Sequence, residues 1–139
     1  MIMPRRLFEV VAAIYCGVYG LWIETVIKAT DYEPLWWTGQ DEAGQRTVAW
    51  LMISAALLHG IGLRVNGQWQ YSPVLRAIGM AMSFGIMLWL GSNVSSPWST
   101  ATYTYTFIGS LVFIGLVSAI SDARTALLRR FVWTPSLKS

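Results

Sequence analysis

Four long apolar stretches, at positions 7–27, 47–63, 74–90 and 102–120, leave this chain few folds to choose from. Each approaches or exceeds the ~17–25 residues with which a helix crosses ~30 Å of hydrocarbon. Apolar character runs through them continuously and does not alternate, which disfavours strands, and a helix satisfies its own backbone hydrogen bonds in lipid. The expected fold is an all-α, integral membrane four-helix bundle. Composition agrees: charged residues make up 12% of the 139 and hydrophobic ones 55%, against about 25% charged in an ordinary globular protein. So few charges could not clothe a water-facing surface.

The basic residues choose an orientation. Arg5, Arg6, Arg64, Arg76, Arg124, Arg129, Arg130 and Lys138, eight of the ten, precede the first span, bracket the second connection or follow the last span. Lys28 and Arg46 lie on the other side, where Asp31, Glu33, Asp41 and Glu42 also gather. Cytoplasmic loops carry the Lys/Arg excess, so the N- and C-termini and the middle connection are expected in the cytoplasm, of a bacterial inner membrane. The tryptophans agree: Trp22, Trp36, Trp37, Trp50, Trp89 and Trp98 fall near the outer interface, Trp69 and Trp133 near the inner one. The net charge of +3 and pI near 9.3 therefore reflect topology, and no nucleic-acid partner is expected. Arg5-Arg6-Leu7-Phe8 partly resembles a twin-arginine signal, but Val26-Ile27-Lys28-Ala29 lacks a small-x-small cleavage pattern, so the first span is expected to be retained.

The connections differ in character. The first carries Pro34, the Trp36-Trp37 pair, Gly39 and Gly44, and reads as irregular, with the indoles on the membrane surface as a candidate interaction surface. The second contains an Asn66-Gly67 turn and a Ser72-Pro73 helix start, a tight hairpin between antiparallel helices. The third is short and Ser-rich. Positions 1–120 thus form the spanning domain, and 121–139 a basic cytoplasmic tail. In that tail Ala123, Leu127 and Phe131 repeat at helical spacing opposite Arg124, Arg129 and Arg130, as in an amphipathic helix lying on anionic lipid.

Small residues recur every fourth position: Ala12, Cys16 and Gly20 on the first span, Ala77, Ala81 and Gly85 on the third, with Ala56/Gly60 and Gly115/Ala119 on the others. Such stripes let helix backbones approach closely, within one bundle or between chains. Cys16 is expected as a small buried side chain at one of these contacts. Among ionisable groups inside the spans, Glu9 and His59 fall at comparable depth on antiparallel helices, so a hydrogen bond between them is feasible. It could be a proton-responsive pair or a structural contact near the headgroups. Glu24 precedes Lys28 by four residues, the order of an i,i+4 ion pair. No nucleophile–base set, phosphate loop or metal-ligand spacing appears, and one histidine makes no multi-histidine centre. Neither an enzyme nor a cofactor is expected.

The segment His59-Gly60-Ile61-Gly62-Leu63, with Asn66-Gly67-Gln68-Trp69, Ser72-Pro73 and Arg76, resembles a stretch in small membrane proteins encoded by phages and prophages of proteobacteria. Its hydrophobicity and basic tail are also similar to those of holins, the phage proteins that open the inner membrane at lysis. Met1-Ile2-Met3-Pro4 resembles the two-start opening of some holins, although Ile2 adds no positive charge between the starts and four spans exceed the usual number. The resemblance implies a non-enzymatic inner-membrane protein acting by helix association, with holin-like permeabilisation as its most concrete form. Its partners would be membrane lipids and further copies of itself. The alternatives are an accessory subunit packed against a larger membrane complex, motivated by Trp36 and Trp37, and a small proton-responsive transporter using Glu9 and His59.

Overall fold

The computed structural model describes residues 3–29, 35, 38–65, 71–94 and 100–132. It is all-helical, with α1 Met3–Ala29, α2 Glu42–Arg64, α3 Ser72–Ser92 and α4 Thr100–Val132. All four are long and apolar enough to cross a bilayer. Consecutive helices pack as neighbours and α4 closes back on α1, giving an up-and-down bundle. The start of α1, the end of α2, the start of α3 and the end of α4 meet at one end, called here the basic end.

The helices outrun the apolar stretches that predict them. Helix α2 begins at Glu42, within what reads as a loop, because Asp41 caps it: the Asp41 carboxylate accepts the Gly44 N–H at 2.8 Å. Arg46 then pairs with Glu42 one turn back at 2.9 Å. Pro73 lies in the first turn of α3, as the Ser-Pro signal predicts. The helix expected beyond position 120 continues α4 without a break. Helix α4 runs unbroken for 33 residues, about 50 Å, and both Asp122 and Ala123 take part in bundle contacts.

Small and flexible side chains fill the interior. Cys16, Ile23, Ala49, Met52, Met87, Leu90 and Tyr105 form the core of the half away from the basic end, while Ala12, Met80 and Val112 form a second, central layer. The stripe on α1 packs as expected: Ala12 and Cys16 are buried, and a Cβ on Gly20 would meet the Ala49 carbonyl oxygen at 2.8 Å. On α3 the small-residue stripe faces away from the interior, the second of the two placements its spacing allows. Ala77 is half-buried and Ala81 and Gly85 are exposed, whereas Ser72, Arg76, Gly79, Met80, Ser83, Met87 and Leu90 turn inward. Four-residue spacing defines a face but not its direction. Here Arg76 sets the direction, and Ala77, the next residue, is rotated about 100° from it.

The connection between α1 and α2 is also less loose than its composition suggests. Leu35 is fully buried in the core. Its N–H donates to Gln45 Oε1 at 3.0 Å, its carbonyl accepts from Thr38 N and Oγ1, and Gln45 Nε2 donates to the Gln40 carbonyl. Leu35 thus plugs the end of the bundle opposite the basic end. Trp36 and Trp37 lie outside the described residues.

Candidate functional site

One ionisable residue from each helix converges near the basic end. Glu9 stands in the second turn of α1, His59 near the end of α2, Arg76 in the second turn of α3 and Asp122 late in α4. Antiparallel packing brings these positions to one depth. The Arg76 guanidinium grips the Glu9 carboxylate as a fork, Nε donating to Oε2 at 2.7 Å and Nη2 to Oε1 at 2.6 Å. Two parallel charge-assisted bonds of this kind fix geometry as well as adding energy. Nη2 also donates to Asp122 Oδ2 at 3.1 Å, and His59 Nε2 lies 3.4 Å from Glu9 Oε2. An ionised carboxylate only accepts, so a hydrogen bond there requires the proton of a neutral His59 to sit on Nε2. Its other ring nitrogen, Nδ1, is buried without a hydrogen-bond partner among the described residues.

Burial makes the cluster consequential. Glu9 and His59 are fully enclosed and Arg76 is 1% exposed, while the Asp122 side chain is 50% exposed. Taking ions out of water costs several kcal/mol each, and only close, well-hydrogen-bonded pairing offsets it. Glycines make the close approach possible. A Cβ on Gly79 would lie 2.9 Å from both the backbone nitrogen and Cβ of His59, and one on Gly62 would lie 2.7 Å from Arg76 Cγ. Gly115 leaves room for the Met80 side chain and for Glu9 Cγ.

Above the cluster, the layer of Ala12, Met80 and Val112 is apolar. Beyond it the Cys16 thiol of α1 and the Ser83 hydroxyl of α3 meet in a side-chain hydrogen bond, and a Tyr19–Tyr105 hydroxyl pair at 2.9 Å ties α1 to α4. Tyr19 continues outward as a stack with Tyr15 and Trp22. Tyr19→Phe should lower stability by about 0.5–1.5 kcal/mol, read as a shifted unfolding midpoint in detergent; no shift would mean that the hydroxyl pair is not formed there.

The Glu9–His59 proximity expected from depth is present, but the fork partner of Glu9 is Arg76, which reads in the sequence as a charge bracketing a connection. A partial signal existed: Arg76 is the one Lys or Arg inside an apolar stretch and Glu9 is an acid inside another, but neither position says which way Arg76 turns. Asp122 had no such signal. Lys28 Nζ lies 2.9 Å from Glu24 Oε1, as their spacing predicts. Arg124 is exposed, and the side chains of Arg129 and Arg130 lie outside the described residues. No group of three His, Cys, Asp or Glu residues suited to a metal occurs among the described residues. Two apolar clefts open sideways, one of about 670 Å³ between α3 and α4 beside Phe84, Leu88 and Phe113, and one of about 480 Å³ along α1 beside Ile14, Val18 and Trp22. Neither converges polar groups on a point. No protein-family model matches the chain, and neither a curated protein nor a solved structure matches it.

Proposed function

We propose that this chain is a small non-enzymatic protein of the bacterial inner membrane, phage- or prophage-encoded, that acts by association of its helices and permeabilises the membrane as a holin does. Its polarity supports the membrane setting. Glu9, Gln45, His59, Arg76 and Ser83 are buried, while Leu7, Ile14, Val18, Leu57, Phe107 and Phe113 are among the large apolar side chains left exposed. That distribution suits lipid outside and hydrogen bonding inside. The basic end then faces the cytoplasm, with Arg124, Arg129 and Arg130 at anionic headgroups.

The observation that carries association is the outward face of α3. Ile78, Ala81, Gly85 and Leu88 follow one another at helical spacing and are all exposed, and a Cβ on Gly85 would meet nothing within 4 Å. The small residues that this helix does not use internally are therefore free to admit a second helix. Inducible expression in bacteria, with a voltage-sensitive dye, tests the reading. Wild-type protein should collapse the membrane potential, and Gly85→Trp, at equal membrane level, should preserve it. Potential and viability that persist at high wild-type levels contradict the permeabilising role. The transporter alternative is weakened by the apolar layer above the cluster, and the subunit alternative rests on Trp36 and Trp37, outside the described residues.

A further inference from the structure

We propose that α4 is the mobile element of the bundle, undocking sideways from a fixed unit of α1, α2 and α3 against which two hydrogen-bonded latches hold it. The inference rests on the reading of the bundle as membrane-spanning, but not on permeabilisation.

The tightness of each seam is the first argument. Helix α1 meets α2 at its backbone: a Cβ on Gly20 would lie 2.8 Å from the Ala49 carbonyl oxygen. Helix α2 meets α3 in the same way, with a Cβ on Gly79 2.9 Å from the His59 nitrogen and one on Gly62 3.1 Å from that of Arg76. Among the described residues, no glycine of α4 makes such an approach. A Cβ on Gly109 would find Met87 Cβ alone, at 3.8 Å. One on Gly115 would press on the flexible tip of Met80, with Glu9 Cγ at 3.5 Å. The 670 Å³ cleft also lies at an α4 seam, between α3 and α4. Helix α4 is thus the loosely seated one.

The second argument is what α4 contributes to the interior. Its buried face is Tyr105, Gly109, Val112, Gly115, Ala119 and Ala123, and apart from Tyr105 no side chain there is larger than valine. Lipid tails are as apolar as these side chains, so no hydrophobic drive of the kind water supplies holds this face down. The polar contacts deep in the bundle do without α4. Both the Glu9–Arg76 fork and the Cys16–Ser83 hydrogen bond run between α1 and α3. When α4 leaves, the Glu9–Arg76 pair stays neutral, and Asp122, half-exposed at the basic end, keeps its access to water. No ion is stranded. Moving α1 or α3 instead would break the fork.

Two directional contacts then latch α4. The Tyr105 and Tyr19 hydroxyls meet at 2.9 Å in the half away from the basic end, and Asp122 Oδ2 accepts from Arg76 Nη2 at 3.1 Å near that end. Moving elements are drawn from the least stably held parts of a structure, and a thin apolar face with a latch near each end describes such a part. Undocking uncovers the face between α1 and α3, where Cys16, Ser83 and the Glu9–Arg76 pair lie. The polar interior then becomes reachable from the side.

Spin labels on exposed positions measure the motion without touching the packing. Full-length protein in a Cys16→Ser background, which keeps a hydroxyl opposite Ser83, would be held at one chain per lipid nanodisc. Leu57→Cys with Val117→Cys reports α2 to α4, and Leu57→Cys with Val18→Cys reports α2 to α1 as the control; all three side chains are exposed. Double electron–electron resonance should give one narrow distance for the control and two populations for the α4 pair, docked and longer. Tyr105→Phe with Asp122→Ala should enlarge the longer population and leave the control unchanged, each lost hydrogen bond shifting the balance by about 2- to 10-fold. A distance to α4 that stays single and narrow in both proteins, or a longer population that the latch variant does not enlarge, overturns the proposal. So does a control distance that broadens together with that to α4. Incorporation into the discs reports the membrane setting separately from the distances. A mobile α4 without loss of membrane potential in the dye experiment would leave the device standing and remove the permeabilising role; the reverse pair of results would do the opposite.

Discussion

Arg76→Met should destabilise the bundle by about 3–5 kcal/mol, because removing one partner of a buried ion pair strands the other. Glu9 is fully enclosed and both of its oxygens are held by the Arg76 fork. Without it the carboxylate keeps, among the described residues, only the longer His59 contact. Methionine fills much of the same space, so the loss measured is mainly electrostatic. The control is Arg46→Met. Arg46 also pairs with a glutamate, at 2.9 Å, but its side chain is 39% exposed and that of Glu42 64%. Exposed i,i+4 pairs are worth about 0.3–0.5 kcal/mol, so this variant should unfold almost as wild type does. Tryptophan fluorescence during SDS titration of mixed micelles would check both. Equal effects of the two substitutions would mean that Arg76 is not enclosed.

The second large effect belongs to a glycine. Gly79→Val should cost roughly 1–3 kcal/mol or more, because overpacking forces side-chain and backbone shifts. The atoms in the way are backbone and Cβ of His59 and the Ala55 carbonyl, at 2.9–3.0 Å, and none is the yielding tip of a side chain. The strain falls on His59, so the imidazole NMR signal should move as well. Gly85→Ala on the same helix should do the reverse. It meets open space, and alanine is favoured over glycine inside a helix by about 0.5–1 kcal/mol. The pair separates interior from outward-facing glycines within one helix. Similar destabilisation at both positions would contradict the orientation of α3.

That orientation marks where sequence reasoning ran out. The four long apolar helices were legible because apolar runs of that length have few other fates, and the Glu9–His59 approach followed from depth and antiparallel order alone. The phase of α3 was not legible. Ala77, Ala81 and Gly85 have the spacing of a contact face, but so do Ser72, Arg76, Met80, Ser83 and Met87. What decides between them is the pairing of Arg76 with an acid on another helix, and no local pattern encodes that. Arg76 itself was hard to place because an arginine in the first turns after a hairpin looks the same whether it reaches back to headgroups or into the bundle. Asp122 was obscured by the division drawn at position 120. It joins the cluster only because α4 continues unbroken, which brings a residue past the apolar stretch against Arg76. Leu35 offers the same lesson at the far end. Next to a proline and two tryptophans it reads as part of a surface loop, but Gln45, on α2, hydrogen-bonds its backbone and its side chain completes the core.

The claim from which the rest follows is that Glu9 and Arg76 meet inside the bundle, and a double-mutant cycle measures that meeting directly. Glu9→Leu, Arg76→Met and the double variant would be unfolded by SDS titration alongside wild type. Contacting groups show coupling of about 0.5–3 kcal/mol, and an enclosed two-bond pair belongs at the upper end of that range. The expected result is that each single variant is strongly destabilised while the double variant recovers much of the loss, because two apolar side chains replace two charges. Single effects that simply add, with no coupling, would place the two side chains apart and contradict the account.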